Sequence, residues 1–165
     1  KQPTKTDQSG FCSKFTGIRR WSCWTEGWPL FWEDLKTPQG LDNFCSNTTS
    51  KEEKDRCYLS IMYVVTAQFN FDTDRLSKYC QNLSDQYRGN CFAHVASRMI
   101  ETDWNNIPVS VDFCNSAEDE SAKDICFAEL TTYSSYNFHP GSPESLKLCN
   151  LMPEIWKNKC LGINR

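Results

Sequence analysis

Histidine is nearly absent from this chain of 165 residues, which carries only His94 and His139. The two do not form a spaced ligand pair, and each reads as a packed or solvated side chain. No Gly-x-Ser-x-Gly, His-Glu-x-x-His or phosphate-binding loop occurs. Nothing therefore sets a nucleophile beside a base, and the chain reads as a non-enzyme with no catalytic residue, cofactor or metal. Positive charge is also scarce: 18 Lys and Arg stand against 21 Asp and Glu, a formal net charge of −3. Phosphate binding needs clustered cations, and Arg19-Arg20 is the one dense basic pair, so nucleic acid is not an expected partner. No apolar run is long enough to span a membrane. The chain begins at Lys1 without Met and without a signal-peptide core, as expected of a mature product or an internal fragment. Cys-x-x-Cys is missing too, which excludes thiol redox catalysis and attached c-type haem.

Cysteine itself is plentiful, with ten residues on a regular grid: Cys12 and Cys23, Cys45 and Cys57, Cys80 and Cys91, Cys114 and Cys126, Cys149 and Cys160. The second member of each pair recurs after 34, 34, 35 and 34 residues, and the first after 33, 35, 34 and 35. A period in this range marks an array of like units. Thiolate metal sites use closer spacing and further Cys or His ligands, whereas ten or eleven residues separate the members of each pair here. An even, regularly paired set points instead to disulfides and an oxidising compartment: secreted, periplasmic or cell-surface. The periodicity selects five local bridges, 12–23, 45–57, 80–91, 114–126 and 149–160.

The rest of the unit keeps register. Phe11, Phe44, Tyr79, Phe113 and Leu148 precede the first cysteines, and Trp24, Tyr58, Phe92, Phe127 and Leu161 follow the second ones. Seven residues before each second cysteine stand Thr16, Ser50, Ser84 and Asp119, all helix-capping types, with Pro153 in the fifth copy. Ser50-Lys51-Glu52-Glu53 has the form of a capping box. From Ser50 to about Gln68, Cys57, Tyr58, Ile61, Met62, Val64 and Val65 make one apolar stripe, and Cys91, Phe92, Val95, Ala96, Met99 and Ile100 repeat it after Ser84. Shorter helices are predicted before the first cysteines, opening at Thr37-Pro38, Asp72-Thr73-Asp74, Asn106-Ile107-Pro108 and Ser142-Pro143, where proline suits a first helical turn.

This helix–turn–helix unit with a period near 34 resembles tetratricopeptide and Sel1-like repeats, above all the secreted bacterial cysteine-rich Sel1-like proteins whose helix pairs are joined by disulfides. The likeness runs from about Phe11 to Cys160 and is one of architecture. The Trp-Leu-Gly-Tyr-Ala pattern of the tetratricopeptide unit and the regular Ala and Gly positions of Sel1 repeats are missing, and the Cys spacing is longer. The resemblance implies a curved or rod-like α-solenoid that serves as a protein-binding scaffold, and it implies no catalytic residue.

Three features are candidates for function. Trp21, Trp24, Trp28, Phe31 and Trp32 crowd into twelve residues broken by Gly27 and Pro29, so the second helix of the first copy should be short or kinked. These rings read either as an end cap folded over the open face of the stack or as a partner-binding patch for a protein or a sugar. Asn47-Thr48-Thr49 and Asn82-Leu83-Ser84 match the N-glycosylation pattern in equivalent turns, at Asn47 and Asn82. Glu118, Asp119 and Glu120 form an acidic run that a helix start alone accounts for.

The expectation is an all-α chain forming one disulfide-rich domain over 1–165, an α-solenoid of about five helix-turn-helix repeats (about 11–43, 44–78, 79–112, 113–147 and 148–165). Its expected role is that of an extracytoplasmic structural or protein-interaction subunit. It would bind a protein partner, or join a larger assembly, through its concave face or its aromatic N-terminal end. The alternative is a secreted helical protein that binds a small apolar ligand.

Overall fold

The computed structural model describes residues 4–163, and these form eleven α-helices, two 3-10 turns and no strand. In chain order the helices are α1 (Lys5–Cys12), α2 (Gly17–Glu26), α3 (Trp32–Leu35), α4 (Pro38–Cys45), α5 (Lys51–Gln68), α6 (Thr73–Gln81), α7 (Asp85–Thr102), α8 (Ile107–Asn115), α9 (Glu120–Asn137), α10 (Pro143–Leu151) and α11 (Glu154–Ile163). Short polar side chains start most of them. Thr4, Thr37, Ser50, Asp72, Asp119 and Ser142 each accept a hydrogen bond from an otherwise unpartnered amide of the first turn.

Three expected caps are built differently. Ser50 accepts from the Glu53 amide, but the Glu53 carboxylate does not return to Ser50. It accepts instead from the Thr49 amide at 2.8 Å and the Thr49 hydroxyl at 2.6 Å, where two donors converge. Those bonds hold the Glu53 carboxyl below its usual range. Thr16 and Ser84 stand at helix starts without capping. The Ser84 hydroxyl instead donates to Asp42 Oδ1 at 3.2 Å.

Five disulfides join α1 to α2, α4 to α5, α6 to α7, α8 to α9 and α10 to α11, through Cys12–Cys23, Cys45–Cys57, Cys80–Cys91, Cys114–Cys126 and Cys149–Cys160. Their Cα atoms lie 5.4 to 5.7 Å apart, ordinary for a bridge, and no cysteine is free among the described residues. The second helices of the pairs follow one another in space as they do in sequence: α2 meets α5, α5 meets α7, α7 meets α9 and α9 meets α11. The first helices touch less, with α8 against α10 the main contact.

One apolar core runs between these elements from Leu35 to Cys160. Leu41, Ile61, Met62, Leu76, Phe92, Met99, Ile107, Phe127, Leu130 and Leu148 are fully buried in it. The most extensive helix contact is α7 on α9, where Gly89 removes a side chain from the crossing: a Cβ there would stand 2.5 Å from Ile125 Cδ1 and 3.3 Å from Ala122 Cα.

Candidate functional site

At the N-terminal end the chain cannot continue α2 past Gly27, since Pro29 has no amide to donate. A 3-10 turn over Trp28–Phe31 and the single-turn α3 follow, an element beyond the two helices expected of that copy. The break divides the five candidate rings. Trp24 stacks on Phe44 with centroids 5.2 Å apart, and its Nε1–H donates to the Phe44 carbonyl at 3.2 Å. Phe31 meets Phe44 edge-on at 5.1 Å, Trp28 meets Trp32 at 6.0 Å, and Trp32 meets Phe69 at 5.8 Å. These four rings are half-buried against the core and join the first disulfide pair to the second.

Trp21 stands apart. Its Nε1–H is buried without a hydrogen-bond partner, and the residue lines a cavity of about 70 Å³ with Arg20, Trp24, Asn47, Thr48 and Glu53.

The outer side of α1 and α2 carries a second, open feature that the sequence reading did not single out. Phe11 is 54% exposed and Ile18 65% exposed. With Phe15, Arg19, Glu26, Pro29 and Leu30 they line a groove of about 850 Å³. The signal for it lay in the register: Phe44, Tyr79, Phe113 and Leu148 occupy the same position as Phe11 and are buried. Phe44 and Phe113 are covered by rings of the preceding pair, Trp24 and Phe92. Phe11 instead meets Phe15 of its own pair, edge-on at 5.4 Å, and stays exposed. At the other end Leu151, Ile155 and Ile163 are exposed on α10 and α11.

Two of the four junctions between successive second helices, α5 with α7 and α9 with α11, carry a polar contact in one register. The Tyr87 hydroxyl donates to Asp55 at 3.0 Å, and Trp156 Nε1–H donates to Asp124 at 3.1 Å. Burial first, and then the Asp55 carboxylate, push the Tyr87 hydroxyl up to about 12. Tyr58 lies flat on Tyr87 with centroids 3.7 Å apart, and its hydroxyl donates to Asp42, so burial and that carboxylate raise it as well. These groups tie one pair to the next.

The remaining candidates lie apart from one another. Asn47 and Asn82 are exposed in equivalent turns, each donating its amide to a carbonyl of the helix before it: Asn43 and Phe44 for the first, Lys78 for the second. His94 is half-buried on α7 and burial lowers its pKa, whereas His139 is exposed in the turn before α10. Glu118 and Glu120 are exposed. Asp119 between them caps α9 and receives Arg88 at 3.4 Å. Among the described residues no group of three His, Cys, Asp or Glu side chains is placed to hold a metal ion, and no helix is long and apolar enough to cross a membrane. No protein-family model, curated protein or solved structure matches the chain.

Proposed function

We propose that this chain is an α-solenoid of five disulfide-closed helical hairpins, resembling tetratricopeptide and Sel1-like arrays in architecture, that works outside the cytoplasm as a scaffold for a protein partner. The observation that carries the reading is the succession of second-helix contacts, α2 on α5, α5 on α7, α7 on α9 and α9 on α11, two of them with a polar contact in one register, Tyr87 on Asp55 and Trp156 on Asp124. Units that contact their neighbours in one register build an extended surface rather than an enclosed chamber. Five bridges suit an oxidising compartment. The partner would engage the concave face or the N-terminal end carrying Trp21, Trp24, Trp28, Phe31 and Trp32.

The alternative, a carrier of a small apolar ligand, calls for a chamber of several hundred Å³. The cavity beside Trp21 measures about 70 Å³ and has Arg20 and Glu53 in its wall, and the groove of about 850 Å³ beside Phe11 is open to solvent rather than an enclosed chamber, so the scaffold is favoured.

Small-angle scattering on the oxidised protein and cross-linking of the native protein test this reading. An extended particle is expected, with a radius of gyration well above the roughly 15 Å of a compact chain of this length. Cross-links to one reproducible protein partner are also expected. A compact particle would overturn the solenoid, and a native protein without any cross-linked partner would overturn the scaffold.

A further inference from the structure

We propose that the cavity between the first and second helix pairs is a binding site for a small free amino acid, held as its zwitterion between Arg20 and Glu53. Such a site goes beyond the scaffold reading and stands whether or not that reading does.

The wall of the cavity contains an unanswered donor. Trp21 Nε1–H is buried and makes no hydrogen bond, whereas Trp24 in the same wall donates its Nε1–H to the Phe44 carbonyl at 3.2 Å. A buried N–H without a partner costs free energy and calls for an occupant that accepts from it.

The two charges of the wall are held apart. Arg20 and Glu53 are both half-buried, and among the described residues Arg20 forms no ion pair. Both Thr49 bonds go to Glu53 Oε2, which leaves Oε1 open. The Thr49 bonds first, and the Arg20 charge after them, hold the Glu53 carboxyl below its usual range. Arg20 thus lies near enough to be felt without touching, and both groups border the cavity.

The remaining polar groups of the wall have spent their donors on backbone. The Thr25 and Thr48 hydroxyls donate to the Trp21 and Cys45 carbonyls at 3.1 and 2.8 Å, and the Asn47 amide donates to the Asn43 and Phe44 carbonyls. What they keep is acceptor capacity. The site therefore offers donors at Arg20 and Trp21 and acceptors at Glu53, Asn47 and the two threonines. An anion alone would bring a like charge to Glu53, and a cation alone would do the same to Arg20. An apolar molecule would leave the indole N–H unanswered. A zwitterion meets every group: its carboxylate accepts from Arg20 and Trp21, and its ammonium donates to Glu53 and its neighbours.

Size narrows the ligand further. The cavity measures about 70 Å³. At roughly 10–15 Å³ for each water-sized group, it takes about five to seven non-hydrogen atoms. Glycine, alanine and serine are of that size, and the long-chain and aromatic amino acids are not. The wall is also fixed in advance, because Cys12 and Cys57 line it and each is bridged, to Cys23 and to Cys45. Little ordering is needed when the ligand enters.

The test is a titration of the oxidised full chain with glycine, alanine and serine, followed by calorimetry and on the indole N–H of Trp21 in proton–nitrogen correlation spectra. Loss of one resonance in Trp21→Phe identifies it. A saturable shift of that resonance is expected, with Kd between about 10 μM and 1 mM, the range open to so small a molecule. Acetate and methylamine each carry one half of the zwitterion and should bind roughly tenfold more weakly or worse, as should glycine to Arg20→Gln and to Glu53→Gln. Trp21→Phe, which keeps a ring and removes the donor, should weaken glycine about three- to tenfold. Far-UV circular dichroism and mapping of the five bridges check each variant. Should one of them lose its fold, the comparison of glycine with acetate and methylamine on the unaltered protein decides alone. No saturable shift up to about 10 mM would leave water as the occupant and overturn the inference. Acetate or methylamine binding as tightly as glycine would overturn the zwitterion, and full affinity in folded Arg20→Gln and Glu53→Gln would overturn the site.

Discussion

Two titratable side chains hold equivalent places, three residues past the second cysteine of their pairs, and burial acts on them in opposite senses. His94 on α7 is pushed down and Glu129 on α9 is pushed up, each by loss of water. For His94 the stability contribution is complete above its unfolded value near 6.5 and is lost as pH falls below it. For Glu129 it is complete below about 4.5 and is lost as pH rises through the elevated folded value. His94→Gln should therefore flatten the fall in stability from pH 7 toward pH 5, and Glu129→Gln should stabilise the protein at pH 7 with little effect at pH 4. Urea unfolding across that pH range checks both. An unchanged slope in His94→Gln would place the imidazole in water.

Gly40 is a second residue-scale case. A Cβ at this position would stand 1.8 Å from the Asp34 carbonyl oxygen, so α4 reaches α3 only because the side chain is missing. Gly40→Ala should cost about 1–3 kcal/mol by crowding that backbone. Gly10→Ala meets nothing within 4 Å in α1 and should stabilise by about 0.5–1 kcal/mol. Thermal unfolding of the two variants should move in opposite directions.

Among the elements, the caps show what a local reading captures. Ser50 accepts from Glu53 as its spacing predicts, so Ser50→Ala should cost about 1 kcal/mol in denaturant unfolding. Ser84 stands in the same place and gives its hydroxyl to Asp42, 42 residues earlier, so Ser84→Ala should cost less than Ser50→Ala. Equal losses would mean that Ser84 caps after all. The helices themselves were legible because each long one repeats an apolar stripe around its cysteine, and the strand-free architecture followed from that period. The Asp42 partner of Ser84 was not legible, because it comes from another helix. Nor was α3, whose single turn lies between a proline break and the capped start of α4 at Thr37. The candidate rings of the first copy were visible as a cluster, but their division into four core-facing rings and Trp21 follows from packing on Phe44 and Phe69. The groove beside Phe11 is built from α1, α2 and the turn at Pro29 together, which no single position announces.

At the scale of the whole molecule, every bridge lies within one helix pair, and each closes a short loop. Removing one as a double Cys→Ala variant, Cys80 with Cys91, should cost somewhat under about 3 kcal/mol and leave the other four bridges intact on peptide mapping. Reshuffled bridges in that variant would show that the pairs depend on one another for their connectivity.

The order of the cysteines has one more consequence. The first pairs with the second, the third with the fourth, and so on to the tenth. A chain oxidised as it is threaded out from its N-terminus always finds the correct thiol as the next one to appear. Each hairpin is locked before the cysteines that might compete for it have emerged. Oxidation in that order leaves thiol exchange few wrong bonds to undo and lessens the need for an isomerase to proofread the set.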